Sequence, residues 1–239
     1  MNIFMPEGLD NLKEKSLSDF LTTIDNEYIK TIARIDLFDP KKTSHWTQEQ
    51  KKLFVYLFYH ARGHFYKFLW YMGARSSSQE TKDRIIENIK EEFSETDQSH
   101  DTLYLNFARS LGLNLEKEIY EEKFYRPFLR EFDRNHLRWI VEASSEQKLV
   151  ALFSAYERLD NIDYSNLLHL AKRLGVTDPN ALLFFTVHSN AKHFDRLYNT
   201  LDATWKNHKD HIVDAFKCIY ENQANMWNLL SKEIENKNF

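Results

Sequence analysis

A group of ionisable residues late in the chain is the first candidate for chemistry. His188, Lys192 and Asp195 stand in a segment, residues 177–203, whose apolar residues have helical spacing. On one continuous helix these three side chains would lie within about 60° of one another, with His193 facing away. Imidazole is the commonest metal ligand and acid–base group. Charged groups on so apolar a helix are costly unless they meet partners, so the alternatives are a shared site or a solvated face.

Two further groups could take part in the same chemistry. Glu157 lies at the border of the apolar stripe of its predicted helix, where a charged side chain can face either a core or solvent. Glu91, Glu92 and His100 flank a short polar break between two predicted helices. Asp97 and His100 have the i, i+3 spacing of carboxylate–histidine metal motifs, a spacing that is also common by chance. Each group taken alone is more typical of a structural role.

The remaining histidines show weaker patterns. His60 and His64 are four residues apart on a predicted helix, which suits a chelate, but no carboxylate is near them in sequence. We expect them to line a pocket rather than to bind a metal. His208 and His211 stand among lysines and read as surface. The chain has no phosphate-binding glycine loop, no G-x-S-x-G motif and no H-E-x-x-H motif.

Composition limits the classes of protein that are compatible. Among 239 residues there are only five glycines and four prolines, too few for the turns of β-sandwiches, barrels or doubly wound sheets. The single cysteine, Cys218, excludes an intramolecular disulfide framework. A net charge of −4 argues against a nucleic-acid partner, and no apolar run is long enough for a membrane partner. We expect a soluble, cytoplasmic protein.

Helix signals occur along nearly the whole chain. Thr47 and Gln50 form a capping box, and Gly73, Gly112 and Gly175 stand where helices are predicted to end. The pattern predicts an all-α, single-domain multi-helix bundle, with a flexible N-terminus over residues 1–15 and the helical domain over residues 16–239. The predicted helices cover about residues 18–35, 47–72, 77–93, 98–111, 124–141, 144–156, 164–174, 177–203 and 208–235.

Taken together, these segments resemble a known family. The stretch from Asn88 to Phe93, followed by a polar loop and the run from Ser99 to Leu113, resembles the first metal segment of the heme-oxygenase-like diiron oxidase and oxygenase superfamily. Ala155-Tyr156-Glu157 is similar to the helix with which that family supplies a glutamate. The superfamily includes the chlamydial protein associating with death domains, and its fold is shared by thiaminase II and pyrroloquinoline-quinone synthase. The resemblance covers about residues 45–232 and implies a heme-oxygenase-like bundle.

The resemblance also implies a set of metal ligands. Glu92, His100, Glu157 and His188 match the family's positions, and Glu91 is a less suitable substitute for Glu92. The family then has a carboxylate and a histidine, where this chain has Lys192 and Asp195. An ammonium group close to a divalent cation is strongly repelled, so this departure bears on the number of metal ions.

Three outcomes are compatible with the departure. Asp195 could complete a one-iron site with the four matching ligands, which we favour. Two ions could still bind, or Lys192 could replace the metal by pairing with Glu157 and Glu92 in a metal-free pocket.

The function implied by the resemblance is that of an iron-dependent oxidase or oxygenase, a non-heme enzyme that activates dioxygen on a small-molecule substrate. Lys192 and Tyr156 would act beside the metal, Lys192 by stabilising developing negative charge and Tyr156 by donating a proton. The alternative is a metal-free ligand-binding or interaction module on the same fold. Hydrolysis like that of thiaminase II is a third reading, for which Cys218 is a poor nucleophile candidate. The related folds also make a homodimer an expectation.

Overall fold

The computed structural model describes residues 3–4, 16–63, 65–93, 98–191 and 193–236. Within these residues the chain forms helices and turns and no strand, which confirms the all-α prediction. Asp36–Phe38 is a short 3₁₀ turn. The α-helices are α1 (Leu17–Ile32), α2 (Pro40–Thr43), α3 (Gln48–Arg62), α4 (Phe65–Arg75), α5 (Gln79–Phe93), α6 (His100–Ser110), α7 (Glu116–Glu121), α8 (Pro127–Val141), α9 (Glu146–Arg173), α10 (Leu183–Asn190) and α11 (His193–Glu235).

The bundle is built around α9, which packs along both α11 and α10. α1 lies against α11, and α4 lies between α5 and α8. Large aromatic side chains such as Phe58, Phe216 and Trp227 are fully buried between these helices. Burial of that apolar area is the main stabilising term for a helical domain of this size.

Four of the predicted helix boundaries differ from the structure. The helix expected over 47–72 is two helices, with Gly63 ending α3, while Gly73 lies inside α4. The helices expected over 144–156 and 164–174 are one, α9, because its buried positions continue without interruption from Leu149 to Ala171. Gly175, at φ +100°, ends α9 as predicted.

The predicted helix over 177–203 is also interrupted, and this bears on the site. α10 ends at Asn190, Ala191 is extended (φ −60°, ψ 139°), and α11 begins at His193. The side-chain amide of Asn161 donates to the carbonyl oxygen of Ala191 at 2.7 Å, so a contact from α9 holds the break. The expectation that His188 and Asp195 share a face of one continuous helix is therefore wrong.

Phe4 and the segment around His208 are two further points at which the structure adds to the predicted boundaries. Residues 1–2 and 5–15 of the expected flexible segment lie outside the described residues, but Phe4 is fully buried against Tyr28 and Tyr220. The break expected near residues 203–208 is a kink at His208 (φ −131°, ψ 24°) within α11.

Candidate metal centre

Two of the candidate ligands come from the facing ends of α5 and α6. Glu92 is in the last turn of α5 and His100 is the first residue of α6. Ser99 caps α6 by accepting a hydrogen bond from the backbone N–H of Thr102 at 3.2 Å, which fixes the helix start and with it the backbone of His100. Oε1 of Glu92 lies 3.0 Å from Nδ1 of His100.

The third candidate ligand, His188, is in the last turn of α10. Its Nδ1 lies 2.7 Å from the carbonyl oxygen of Phe184, and because a carbonyl can only accept, Nδ1 carries the proton. Nε2 is then left with a lone pair. The imidazole ring stacks on Tyr164 at 4.2 Å and lies 4.4 Å from the ring of His100. Burial, with the neighbouring His100, lowers the pKa of His188 well below its usual value, so it is a neutral donor.

Glu92, His100 and His188 form one group with potential ligand atoms all within 4.8 Å of one another. Ligand atoms at about 2.1 Å from one ion lie up to about 4.2 Å apart, so small side-chain movements would close this group around a cation. Nδ1 of His100 is buried and, despite its closeness to Glu92, has no hydrogen-bond partner among the described residues. Two imidazoles and one carboxylate are the donor set of mononuclear non-heme iron sites. The residues therefore fit an iron ion.

Glu157 is a buried neighbour of this group rather than a member of it. It lies on the middle of α9, is 5% exposed and accepts a hydrogen bond from the amide of Asn88 at 2.6 Å. Burial raises the pKa of Glu157 to about 8.

Two cavities meet at the group of three ligands. We call the first the aromatic cavity; it has an empty volume of about 590 Å³ including solvent at its mouth. The second, the acidic cavity, has about 820 Å³ by the same measure and contains Glu157. Both are lined by Phe65, Glu92, His100, Asp160 and His188. A metal ion held there would face both spaces.

Three residues of these cavities, His193, Arg62 and Asp160, were not singled out as functional from the sequence. His193 and Glu91 pair at 3.1 Å in the acidic cavity, and the hydrogen bond to Glu91 and the charge of Glu157 outweigh burial and raise the pKa of His193 to about 9. Arg62 and Asp160 pair at 3.1 Å beside the aromatic cavity. The sequence carried no local signal for them: the break at Ala191 turns His193 inward, and Arg62 and Asp160 meet only through packing of α3 on α9.

Of the other predicted site residues, Tyr156 lines a cavity and Asp195 does not. Tyr156 is 4% exposed, lines the aromatic cavity and accepts a hydrogen bond from Arg62 at 2.6 Å. Asp195 is exposed and lines neither cavity, so the structure does not bring it to the other candidates. Lys192 lies outside the described residues, as does Asp97.

His60, His208 and His211 are separate from the candidate metal centre. Nε2 of His60 lies 2.7 Å from Oε1 of buried Glu118, so folding brings a carboxylate to His60 although none is near it in sequence. Glu118 is remote in sequence and reaches His60 from α7. His64 lies outside the described residues, and His208 lies near His211 at the kink of α11.

Comparisons with solved structures show the fold. A domain of unknown function with a heme oxygenase-like fold from Shewanella denitrificans is 15% identical, with a TM-score of 0.73 and coverage of 92% of this chain and 94% of that one. A CADD-like protein of unknown function from Nostoc punctiforme is 13% identical, with a TM-score of 0.69 and coverage of 90% and 96%. No curated protein matches the chain.

Among the described residues, no helix has the length and apolar character needed to cross a membrane. The family model described as iron-containing redox enzyme matches residues 52–222, a span that includes Glu92, His100, Glu157 and His188. On this match the chain belongs to the family of iron-containing redox enzymes.

Proposed function

We propose that the protein is an iron-dependent oxidase or oxygenase that acts on a small organic substrate, with one iron ion held by Glu92, His100 and His188. The observation that supports this most directly is the grouping of two imidazoles and one carboxylate from three separate helices. Such a set leaves coordination positions open. When bound, iron supplies the one-electron chemistry with which dioxygen is activated.

The surroundings of His188 prepare it as a ligand. The bond from Nδ1–H to the carbonyl of Phe184 selects the tautomer, and stacking on Tyr164 fixes the plane of the ring. A second partner of this kind raises the basicity of the ligating nitrogen and restricts its orientation. These contacts allow His188 to bind a metal without first losing a proton.

Proton transfer at the site would use Glu157 and Tyr156. At neutral pH, and with no second metal ion beside it, Glu157 holds a proton. Asn88 orients its carboxyl group. Burial raises the pKa of Tyr156, and Arg62 holds its oxygen, so its own O–H remains a donor. Lys192 remains a predicted contributor on the grounds of the sequence pattern alone.

One ion rather than two follows from the partners of the remaining acidic groups. Glu91 is paired with His193, and the carboxylate and histidine positions of the family pattern are Lys192 and Asp195 here. Asp195 is exposed and is therefore not one of the proposed ligands.

The test is anaerobic titration of the full chain with Fe(II), with bound iron measured after removal of free metal. We expect about one iron per chain, and at least tenfold weaker binding in both His100→Ala and His188→Ala because each change removes one of three ligands. The matched control is His45→Ala, which removes an exposed imidazole and should leave iron binding unchanged. Admission of air should oxidise the iron of the unmutated protein with uptake of dioxygen.

No iron uptake by the unmutated protein would contradict the proposal and favour the metal-free binding module. Two ions per chain would contradict the single-ion part, and Glu157, Glu91 and His193 would then be the residues to examine as further ligands.

A further inference from the structure

The aromatic cavity has a distinct inner and outer end. At the inner end are the two ligand histidines and Tyr164, which is only 2% exposed. At the outer end are Phe93, which is 57% exposed, and the exposed carboxylate of Asp101. Its aromatic lining is Phe58, Tyr59, Phe65, Tyr66, Phe93, Tyr104, Tyr156, Tyr164 and Phe184.

Asp101 brings a negative charge to the aromatic rings at the mouth. Among the described residues no side chain makes a hydrogen bond or an ion pair with it. Burial and the charge of Asp101 together raise the pKa of Tyr59 to about 12, and the same two causes raise the pKa of Tyr66. The ring of Tyr66 meets that of Phe93 edge-on at 5.8 Å. The mouth thus combines one unpaired carboxylate with three aromatic side chains.

The positive charge at the cavity wall is already balanced. Arg62 donates to Tyr156 at 2.6 Å and to Asp163 at 3.1 Å, and it lies 3.1 Å from Asp160. Its guanidinium carbon also lies 5.3 Å from the ring centre of Tyr164. A carboxylate ligand would therefore have to displace one of these existing partners in order to pair with Arg62.

The inner end presents a polar group without a partner. The hydroxyl of Tyr164 makes no hydrogen bond with any described residue, although the side chain is almost completely buried. Its ring forms part of the cavity wall beside His188. The hydroxyl is not sealed in the core, so water or a polar group of a ligand in the cavity can bond to it.

We propose that the aromatic cavity binds a small organic cation, a protonated amine, with its ammonium group between Asp101 and the rings of Tyr59, Tyr66 and Phe93. The apolar body of the ligand runs inward along the aromatic walls toward Tyr164 and the metal ligands. An ammonium group is attracted to both a carboxylate and the faces of aromatic rings, whereas a carboxylate is repelled by both. The assignment of this ligand as substrate rests on the proposed function, but its binding does not require iron.

The test is isothermal titration calorimetry of the metal-free full chain with three probes of equal length: n-hexylammonium, 1-hexanol and hexanoate. We expect hexylammonium to bind most tightly and hexanoate most weakly. Asp101→Asn should weaken hexylammonium binding at least about fivefold, which corresponds to about 1 kcal/mol, and leave hexanol binding unchanged. Phe93→Leu keeps an apolar side chain but removes the ring, and should weaken hexylammonium about two- to fivefold without affecting hexanol.

The matched control is Asp202→Asn, which removes an exposed carboxylate of α11 that lines neither cavity. It should leave all three affinities unchanged, whereas a general effect of protein charge would weaken hexylammonium binding here as well. Hexanoate binding as tightly as hexylammonium, or an unchanged amine affinity in Asp101→Asn, would overturn the inference. The protein can bind iron without binding the amine, and it can bind the amine without binding iron. The two experiments therefore test the two proposals separately.

Discussion

In three carboxyl groups of this protein, burial outweighs the effect of neighbouring positive charges on the pKa. Burial raises the pKa of Glu157 to about 8 and those of Asp133 and Asp160 to about 7. Asp133 is the simplest case because it lies away from the candidate metal ligands, in a separate cavity with Lys67 and His136. Its carboxylate accepts a hydrogen bond from Tyr125.

Asp133→Asn should stabilise the protein at pH 7. Because folding raises the pKa of Asp133 above the value of about 3.9 in an unfolded chain, the folded state is the better proton binder, and its stability falls as pH rises from about 4 to about 7. Asparagine also accepts a hydrogen bond from Tyr125, and it has no carboxylate that must be ionised in a buried position. Urea unfolding should show a gain on the order of 2 kcal/mol at pH 7 that disappears near pH 4.

The control for this change is Asp83→Asn on exposed α5, where no such pH-dependent gain is expected. A gain of the same size at pH 4 and pH 7 would show that Asp133 acts through packing rather than through its charge.

At the residue level, the sequence predicted part of the site through its resemblance to a family. The positions of Glu92, His100 and His188 were assigned in this way, and the structure brings them together. Asp195 was included through the same resemblance, although the family has a histidine there, and it lies apart because the chain leaves the helix at Ala191. That break depends on Asn161 of another helix, so no local pattern of residues announces it.

Among the helices, α6 offers a direct test of how an element positions a ligand. Ser99→Ala removes the N-cap and should lower the free energy of unfolding by about 1 kcal/mol. Because His100 is the first residue of the helix, fraying of this end should also weaken Fe(II) binding several-fold. Both effects are measured on one variant, by urea unfolding and by anaerobic iron titration.

A matched comparison separates local from general destabilisation. Ser16 caps α1 with the same geometry, its Oγ accepting from the backbone N–H of Asp19 at 3.2 Å, far from the metal ligands in sequence. Ser16→Ala should lose similar stability and keep its iron affinity. Equal weakening of iron binding in both variants would mean that the cap of α6 has no special role in holding His100.

Helix boundaries that depend on contacts within a few residues were predicted more reliably than those that depend on other helices. The capping box of Thr47 and Gln50 is present as expected, because both of its hydrogen bonds are made within four residues. Gly73, predicted to end a helix, is instead an interior residue of α4, with only a methyl group of Ile85 close to it. Glycines mark where α3 and α9 stop, at Gly63 and Gly175, but no glycine marks the end of α4.

The whole bundle is joined by a buried polar network centred on Asp163. Its carboxylate, fully buried on α9, accepts hydrogen bonds from one side chain of α1, one of α3 and two of α11. The donors are Tyr28 at 2.8 Å, Arg62 at 3.1 Å, Gln223 at 2.8 Å and Trp227 at 3.0 Å.

Asp163→Ala should destabilise the protein by about 3–5 kcal/mol, because it leaves the charge of buried Arg62 with a single carboxylate neighbour and three further donors unpaired. Chemical unfolding measures the loss, and the double variant Arg62→Leu, Asp163→Leu should lose less than the sum of the two single changes. Glu131→Ala, which breaks an exposed pair with Arg134, should cost under about 1 kcal/mol. A loss that small in Asp163→Ala would contradict the role given to the network.

Glu92, His100 and His188 all stand in terminal turns, whereas Glu157 lies in the middle of the central helix α9. Amide protons in terminal turns exchange with solvent through local opening, long before the global unfolding that exposes a helix centre. The three proposed iron ligands can therefore separate and reclose while the bundle stays folded, which would give a metal a route of entry after synthesis. A metal ion bound to all three residues would hold these helix ends together. Metal binding would therefore slow the local opening through which the ion enters.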